Sequence, residues 1–386
     1  MDEDVVIVGG GHSKFGKRKG LGIRELAFEA VESLMQDFKL SLDDIDASVI
    51  GIAGEEFSGQ GAPAAVINDE IGMAGKPTLR VESACATGTA AIKAAYGWIK
   101  AGLYDSVLVL GVEKMTSVSS ARATELMARA GDVRWESPYG CTFPGYYALF
   151  ASAHMKEYGT TKEMLSSVGV KAHHYGAMNP LAHLQKEVTL SEAMNSVPIA
   201  HPLNLYDCSL ISDGAAAVVL TKESLAKKFT DDPIKIKGIG SGSDTMQVAH
   251  RKSLTSLQGA KDAARKAYAM AGITPDDVDV AEVHDCFTIA EIIATEDLGF
   301  FEPGQGGPAA LDQQTYIGGK IPVNVDGGLK SKGHPLGATG VSQAYELRKQ
   351  LLGEAGKRQV DGAKIGLSHN VGQSGQFVNV IIYGRD

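Results

Sequence analysis

Short uninterrupted apolar runs punctuate this chain, and helically spaced apolar positions lie between them. Val5, Val6, Ile7 and Val8 form one run, and residues 47–52 and 107–111 supply two more. A strand buried on both faces has this pattern, because no position along it must face water. Leu21, Leu26, Ala27, Ala30, Val31, Leu34, Met35 and Phe38 recur at helical spacing and predict a helix over 21–38. A short helix is predicted over 63–71, with Pro63 at its first position. Residues 77–81 read as an extended segment, and residues 90–99 as an Ala-rich helix. Between these two lies Cys85, among small residues. Strands alternating with helices predict an α/β fold.

The same order recurs in the last third. Residues 234–240 repeat the strand at 5–10, and a helical run over 260–271 follows. Pro275, Asp276, Asp277, Val278 and Asp279 then lead into an apolar strand ending at His284. They match Leu42, Asp43, Asp44, Ile45 and Asp46 within the segment that opens at Leu40. Residues 322–328 lead to a Gly-rich turn and a helix over 340–352, as residues 77–81 lead to Cys85 and its helix. Residues 364–370 match 106–113. The spacing is too long for a solenoid. It predicts two similar α/β halves packed together, from an internal duplication.

Residues between about 115 and 230 stand outside the repeat. They carry Trp135, Tyr139, Phe143, Tyr146, Tyr147 and Phe150, and five of the histidines. This stretch reads as an insertion that covers a site. It ends in a polar turn, 207–213, and a small-residue strand that closes the first half. The predicted organisation is therefore 1–115 as the N-terminal half, 116–205 as an inserted loop domain, 206–230 as the closing strand and 231–386 as the C-terminal half.

Composition narrows the function. The chain has 386 residues, with 46 acidic against 37 basic side chains. The acidic surplus leaves no nucleic-acid footprint, so an anionic ligand must be met by local cations. Four cysteines (Cys85, Cys141, Cys208, Cys286) are widely spaced with no CxxC pair. That excludes a disulfide framework and a structural zinc site, and points to a reducing cytosol. No apolar run approaches the ~18 residues of a membrane span. The N-terminus reads as neither a signal nor a transit peptide.

Four turns carry residues able to do chemistry. Cys85 is expected between a strand and the N-terminus of a helix, where unpaired N–H groups favour a thiolate; the alternative is a buried structural cysteine. His284, Asp285, Cys286 and Phe287 follow the strand at 280–283. Lys332, Gly333, His334 and Pro335 open the helix that corresponds to the one after Cys85. His369, Asn370, Val371 and Gly372 are expected to follow the last buried strand. In α/β sheets, ligands bind at the carboxyl ends of strands. A thiol with several histidines at such ends is a nucleophile-and-base set. The same residues lack metal-ligand spacing, so no metal is expected.

The Cys85 turn, His-Asp-Cys-Phe at 284–287, Gly-His-Pro-Leu-Gly-Ala-Thr-Gly at 333–340 and His-Asn-Val-Gly-Gln-Ser-Gly at 369–375 resemble the thiolases. The order and spacing match over nearly the whole chain. Most thiolases carry Asn-Glu-Ala-Phe where this chain has residues 284–287, and Cys-x-Gly where it has 369–372. Both departures place the resemblance in the sterol-carrier and archaeal-type branch. It implies a duplicated αβαβα five-layer fold with an inserted loop domain, and acetyl-CoA C-acetyltransferase activity. By resemblance, Cys85 is the nucleophile and His334 its base, and Cys286 is the second acid/base in place of the missing cysteine. His284 is an oxyanion donor, and Gly372 with Cys85 gives backbone N–H groups to a second oxyanion site. His369 is a positioning residue or shares the base role. Cys208, Ser209, Ser212 and Ser241 line the pantetheine channel, and Lys332 lies near the pocket as a cation for CoA.

CoA thioesters are then the substrates, and no further cofactor is implied. A homodimer or homotetramer is implied, as is a complex with hydroxymethylglutaryl-CoA synthase and a small zinc-ribbon/OB-fold protein. The same fold also serves hydroxymethylglutaryl-CoA and ketoacyl synthases, and a non-catalytic scaffold is a further alternative. The second thiol at Cys286 favours the thiolase reading.

Overall fold

The first apolar run becomes β1 (Val5–His12), in which every side chain is buried. It is followed by α1 (Ile23–Gln36), β2 (Ala47–Gly51), α2 (Pro63–Glu70), β3 (Thr78–Val81), α3 (Thr87–Lys100) and β4 (Ser106–Lys114). The inserted stretch carries α4 (Ser120–Ala128), α5 (Phe143–Tyr158), α6 (Lys162–Met178), α7 (Leu190–Met194) and a small hairpin of β5 (Pro198–Ala200) and β6 (Leu203–Asn204). Then come β7 (Asp213–Lys222), β8 (Ile234–Gly242), α8 (Gln258–Ala271), β9 (Val280–Glu282), α9 (Thr288–Asp297), α10 (Gly306–Leu311), α11 (Thr339–Leu352), β10 (Ile365–Gly372) and β11 (Phe377–Gly384). The computed structural model describes residues 3–36 and 41–385. Phe38, the last residue of the helix predicted over 21–38, and Leu40, where the repeated segment opens, lie outside them.

The strands form one hydrogen-bonded sheet in the order β3-β2-β4-β7-β1-β8-β11-β10-β9. Its two sides repeat each other. On one side β3, β2 and β4 are parallel, and β7 returns antiparallel to sit beside β1. On the other, Val323 bridges β9 in parallel, β9 pairs parallel with β10, and β11 returns antiparallel beside β8. The duplication is thus present in the pairing itself. Among the described residues the two sides meet at β1 and β8 through two register pairs, Val6 with Lys235 and Ile7 with Ile234.

Helices α3 and α11 lie together between the two sides. Their Ala91, Ile92, Ala95, Val341, Ala344 and Leu347 share one buried cluster with Val5, Ile7 and Val109 of the first half and with Ile234, Ile381 and Tyr383 of the second. The opposite faces of the first-half strands pack on α1 and α2 through Val6, Val8, Leu108, Leu26 and Ile67. Those of the second half pack on α8 and α9 through Val378, Val380, Ala263 and Ile293. Five layers result, α-β-α-β-α, with every central strand covered on both faces. Burying each large apolar side chain contributes about 1.5–3 kcal/mol, which is why the runs contain no polar alternation.

The middle layer is unusually close. A Cβ on Gly88 would lie 2.6 Å from Gly340 N, and one on Gly340 would lie 2.3 Å from Thr89 N. The N-terminal turns of α3 and α11 therefore touch backbone to backbone. This contact brings the turn bearing Cys85 up to the turn bearing His334. One expectation changes: His369 and Gly372 do not follow the last strand but lie within β10, which runs on to pair Gly372 with Phe377 of β11. The ladder accounts for this, because β11 supplies partners along the whole stretch.

Candidate active site

Cys85 sits in a tight turn, residues 84–86, between β3 and α3. Ala84 adopts φ +49°, a left-handed conformation that costs a non-glycine residue energy. Local bonds hold it there. Thr87 Oγ1 accepts from Ser83 N at 2.9 Å and donates to Ala84 O at 2.6 Å, while Glu82 takes the Ala84 N–H. The thiol is buried. Burial pushes it up to about 12, against the Gln373 backbone N–H, which favours the thiolate; the charge of Glu113 adds to the rise. The expectation of a helix-stabilised thiolate is therefore corrected. Cys85 rests as a thiol, because α3 begins two residues later and burial outweighs the N–H contribution.

Residues distant in sequence converge on it. Cys85, His284 and His334 bring a thiol and two ring nitrogens within 4.8 Å of one another. The two imidazoles stand edge to face with centroids 5.1 Å apart. Three such donors also have the spacing of a soft-metal site, but a metal would occupy the thiol and lone pair that nucleophilic chemistry needs. Nδ1 of His334 lies 2.7 Å from Thr339 Oγ1, whose hydroxyl donates to Pro335 O at 3.0 Å. The hydroxyl has one proton, so Nδ1 must be the donor and Nε2 carries the lone pair. Burial, reinforced by the Lys332 charge, draws His334 down to about 3, so it rests neutral.

His284 has the opposite tautomer. Asn370 Nδ2 donates to Cys85 O at 3.0 Å and lies 3.2 Å from His284 Nδ1. The carbonyl can only accept, so the amide nitrogen faces it and His284 Nδ1 accepts. Its proton is on Nε2. Burial, then the neighbouring His334, holds it well below the usual imidazole range. Nε2 of His284 and of His334 is buried without a partner among the described residues. One site thus presents an acceptor and a donor side by side.

Cys286 is buried just beyond β9, and burial raises its thiol above the ordinary range. The Tyr147 hydroxyl from α5 opposes this by hydrogen bonding to it. Tyr147 stacks on Phe287 at 4.7 Å. Cys85, Cys286, His284 and His334 all line a cavity of about 380 Å³, together with Cys208, Ser209 and Gln373. The inserted stretch forms its cover, with Leu126, Met127, Phe143, Ile199 and Leu205 among the lining residues.

Not every predicted residue reaches this cavity. His369 lies behind His284, its Nδ1 accepting the His284 N–H at 3.5 Å, and burial draws it to about 3. Gly372 is off the cavity wall. A Cβ there would meet Ser83 O at 2.3 Å, so it permits β10 to press on the Cys85 turn. The N–H directed to the thiol is that of Gln373, one residue on. Ser212 is fully buried and bonds His183 and Leu210 O. Ser241 lies in a separate groove, held by Asn379 and Lys93. Lys332 is buried, paired with Asp326 and not among the residues that line the cavity. Reading by sequence missed Asn370, Thr339, Gln373 and Tyr147. The first three stand inside the quoted motifs; Tyr147 carried no signal beyond its place in an aromatic-rich stretch.

The sequence matches the family model described as "Thiolase, N-terminal domain" over residues 5–224 and "Thiolase C-terminal domain-like" over residues 240–385. It is 44% identical to an acetyl-CoA acetyltransferase of Methanothermobacter thermautotrophicus, over 99% of this chain and 100% of the relative. It is 38% identical to sterol carrier protein 2 of Bos taurus, over 97% of this chain and 71% of that protein. Among solved structures it is similar to a chain of the Ltp2-ChsH2(DUF35) aldolase, with a TM-score of 0.87 and 26% identity over 100% of this chain and 98% of that one.

Proposed function

This chain belongs to the thiolase family, and we propose that it is an acetyl-CoA C-acetyltransferase, joining two acetyl-CoA reversibly into acetoacetyl-CoA and CoA through an acyl-Cys85 intermediate. The observation that carries the reading is the convergence of Cys85, His334 and His284 within 4.8 Å on a covered cavity. Full-length similarity to an acetyl-CoA acetyltransferase supports it.

The tautomers support distinct roles. Cys85 Sγ attacks the thioester carbonyl and the Nε2 lone pair of His334 takes its proton. Both groups rest neutral, so charge separates only as the carbonyl oxygen becomes an oxyanion and is met by N–H donors. CoA leaves with the proton from His334, whose freed Nε2 lone pair then takes the proton of the Cys286 thiol and leaves Cys286 a thiolate. In the second half, Cys286 removes an α-proton from another acetyl-CoA, and His284 Nε2–H meets the enolate oxygen. The carbanion attacks acetyl-Cys85, and acetoacetyl-CoA departs as the Cys85 sulfur regains its proton. Tyr147 steadies the charge on Cys286 between steps.

Incubation with acetyl-CoA followed by mass spectrometry tests this. One acetyl group is expected on Cys85. An adduct that survives Cys85→Ala removes Cys85 as the nucleophile. Cys286→Ala should still acetylate but lose α-proton exchange; normal exchange assigns the second base elsewhere. The cysteines are all free thiols, which supports a cytoplasmic setting, and among the described residues no helix is long and apolar enough to cross a membrane. A homodimer or homotetramer belongs to the same reading. So does onward transfer of acetoacetyl-CoA to a hydroxymethylglutaryl-CoA synthase, in the mevalonate direction, bridged by a small zinc-ribbon/OB-fold protein. The similarity to the Ltp2-ChsH2(DUF35) aldolase supports looking for such a bridging partner. Copurification at low salt tests it, and isolation of a lone homo-oligomer counts against it.

A further inference from the structure

One buried carboxylate has no part in the reaction above. Glu113 stands near the end of β4 and is 1% exposed. Among the described residues no cation forms an ion pair with it. Three backbone N–H groups converge on it instead. Oε2 accepts from Ala53 N at 2.8 Å and from Gly337 N at 3.0 Å, and Oε1 accepts from Gly54 N at 3.3 Å. Ala53 and Gly54 line the cavity from the first half. Gly337 belongs to the turn of the second half that carries His334 and Leu336. The surfaces are in close contact there. A Cβ on Gly337 would lie 2.6 Å from both Gly51 O and Val112 O, and one on Gly111 would lie 2.3 Å from Gly337 O.

We infer that Glu113 is a positioning residue for the reaction: its carboxylate clasps the His334 turn to the first half and thereby holds His334 against Cys85. The inference rests on the roles given to Cys85 and His334 above. An ionised carboxylate is acceptor-only, so it satisfies all three donors. A proton on either oxygen turns an acceptor into a donor facing an N–H, and the clasp loosens.

Its surroundings make that change accessible. Burial raises Glu113 to about 7, opposed by the three N–H groups and, from a distance, by Arg80 of β3. Arg80 itself pairs with Glu55 from the loop after β2. From the nucleophile turn, Cys85 feels the charge of Glu113. Lys114, next on β4, is engaged by Asp213. Cys85 at about 12 and His334 at about 3 titrate far from neutrality, whereas Glu113 titrates at it. The activity should therefore fall on acidification through neutral pH as the clasp is protonated.

Steady-state thiolysis rates from about pH 5.5 to about pH 9 decide the matter. The unmodified enzyme should show an acid limb in kcat near pH 7. Glu113→Gln should lower kcat about 10–100-fold, leave KM within about threefold and abolish the limb. Glu113→Asp keeps the charge on a shorter stem, so it should recover part of the rate and keep a limb displaced by at least about half a pH unit. A Glu113→Gln enzyme with the original kcat and limb overturns the inference. If that variant does not fold, an undisplaced limb in Glu113→Asp overturns it equally. The acetyl adduct on Cys85 of the unmodified enzyme separates the two readings: its absence rejects the thiolase mechanism, whereas its presence with an unchanged Glu113 profile rejects only the clasp.

Discussion

Asn370 decides what His284 can do. Its amide nitrogen bonds Cys85 O and faces His284 Nδ1, while its oxygen lies 3.1 Å from Thr89 Oγ1. Replacing it by Asp removes both donors. His284 would then turn its proton to the carboxylate and offer a lone pair to the enolate oxygen. Asn370→Asp is expected to lower kcat about 10²–10³-fold, the usual effect of losing an oxyanion donor. Steady-state condensation and thiolysis rates check this, and a loss below about threefold would show that the His284 tautomer is irrelevant. This residue was not singled out from the sequence, although it adjoins His369. Its importance depends on partners far along the chain: Thr89 and Cys85 lie 281 and 285 positions away, and His284 lies 86 away. The residue types for acyl chemistry were legible; the hydrogen bonds that assign donor and acceptor were not, because they form only when both halves meet.

At the scale of elements, the contact between α3 and α11 sets the geometry. Both helices begin with small residues, and the glycines at 88 and 340 let their first turns touch. A methyl group on Gly340 would collide with Thr89 N and with Asn370 Oδ1, 2.5 Å away. Gly340→Ala should therefore destabilise the fold by about 1–3 kcal/mol and depress activity by moving Asn370. Gly97, also in α3, has open space where a Cβ would go, so Gly97→Ala should be neutral or stabilising by up to about 1 kcal/mol. Urea midpoints of the two variants check the contrast, and equal shifts would count against it. The helices were readable from apolar spacing and Pro or Gly punctuation. Much of the insertion was not, since α5 and α6 bury mixed polar and aromatic residues, with Tyr146, Tyr147 and His154 in one and Ser166, Lys171 and His173 in the other. β11 went unread as well, although its run of apolar residues is of the same kind as that of β1.

For the whole molecule, the two halves share a middle layer rather than a flexible joint. Strands β1 and β8 pair directly, and one apolar cluster draws on both halves. Trp98 packs against that cluster, while Trp135 is exposed. In a Trp135→Phe variant, Trp98 fluorescence and far-ultraviolet circular dichroism should report one coincident unfolding transition; two separated transitions would show that the halves unfold independently. The sequence by itself determined the α/β class, the duplication and the nucleophile-and-base residue types. Those features follow from local periodicity and from recurrence along the chain. Only the tertiary structure decided which polar groups face the cavity. Cys208 and Ser209 do, whereas Ser212 is spent on His183, Ser241 on Asn379 and Lys332 on Asp326. It likewise decided that Cys85 rests as a thiol. Burial and pairing depend on what packs against a residue, and here the packing surfaces come from opposite ends of the chain.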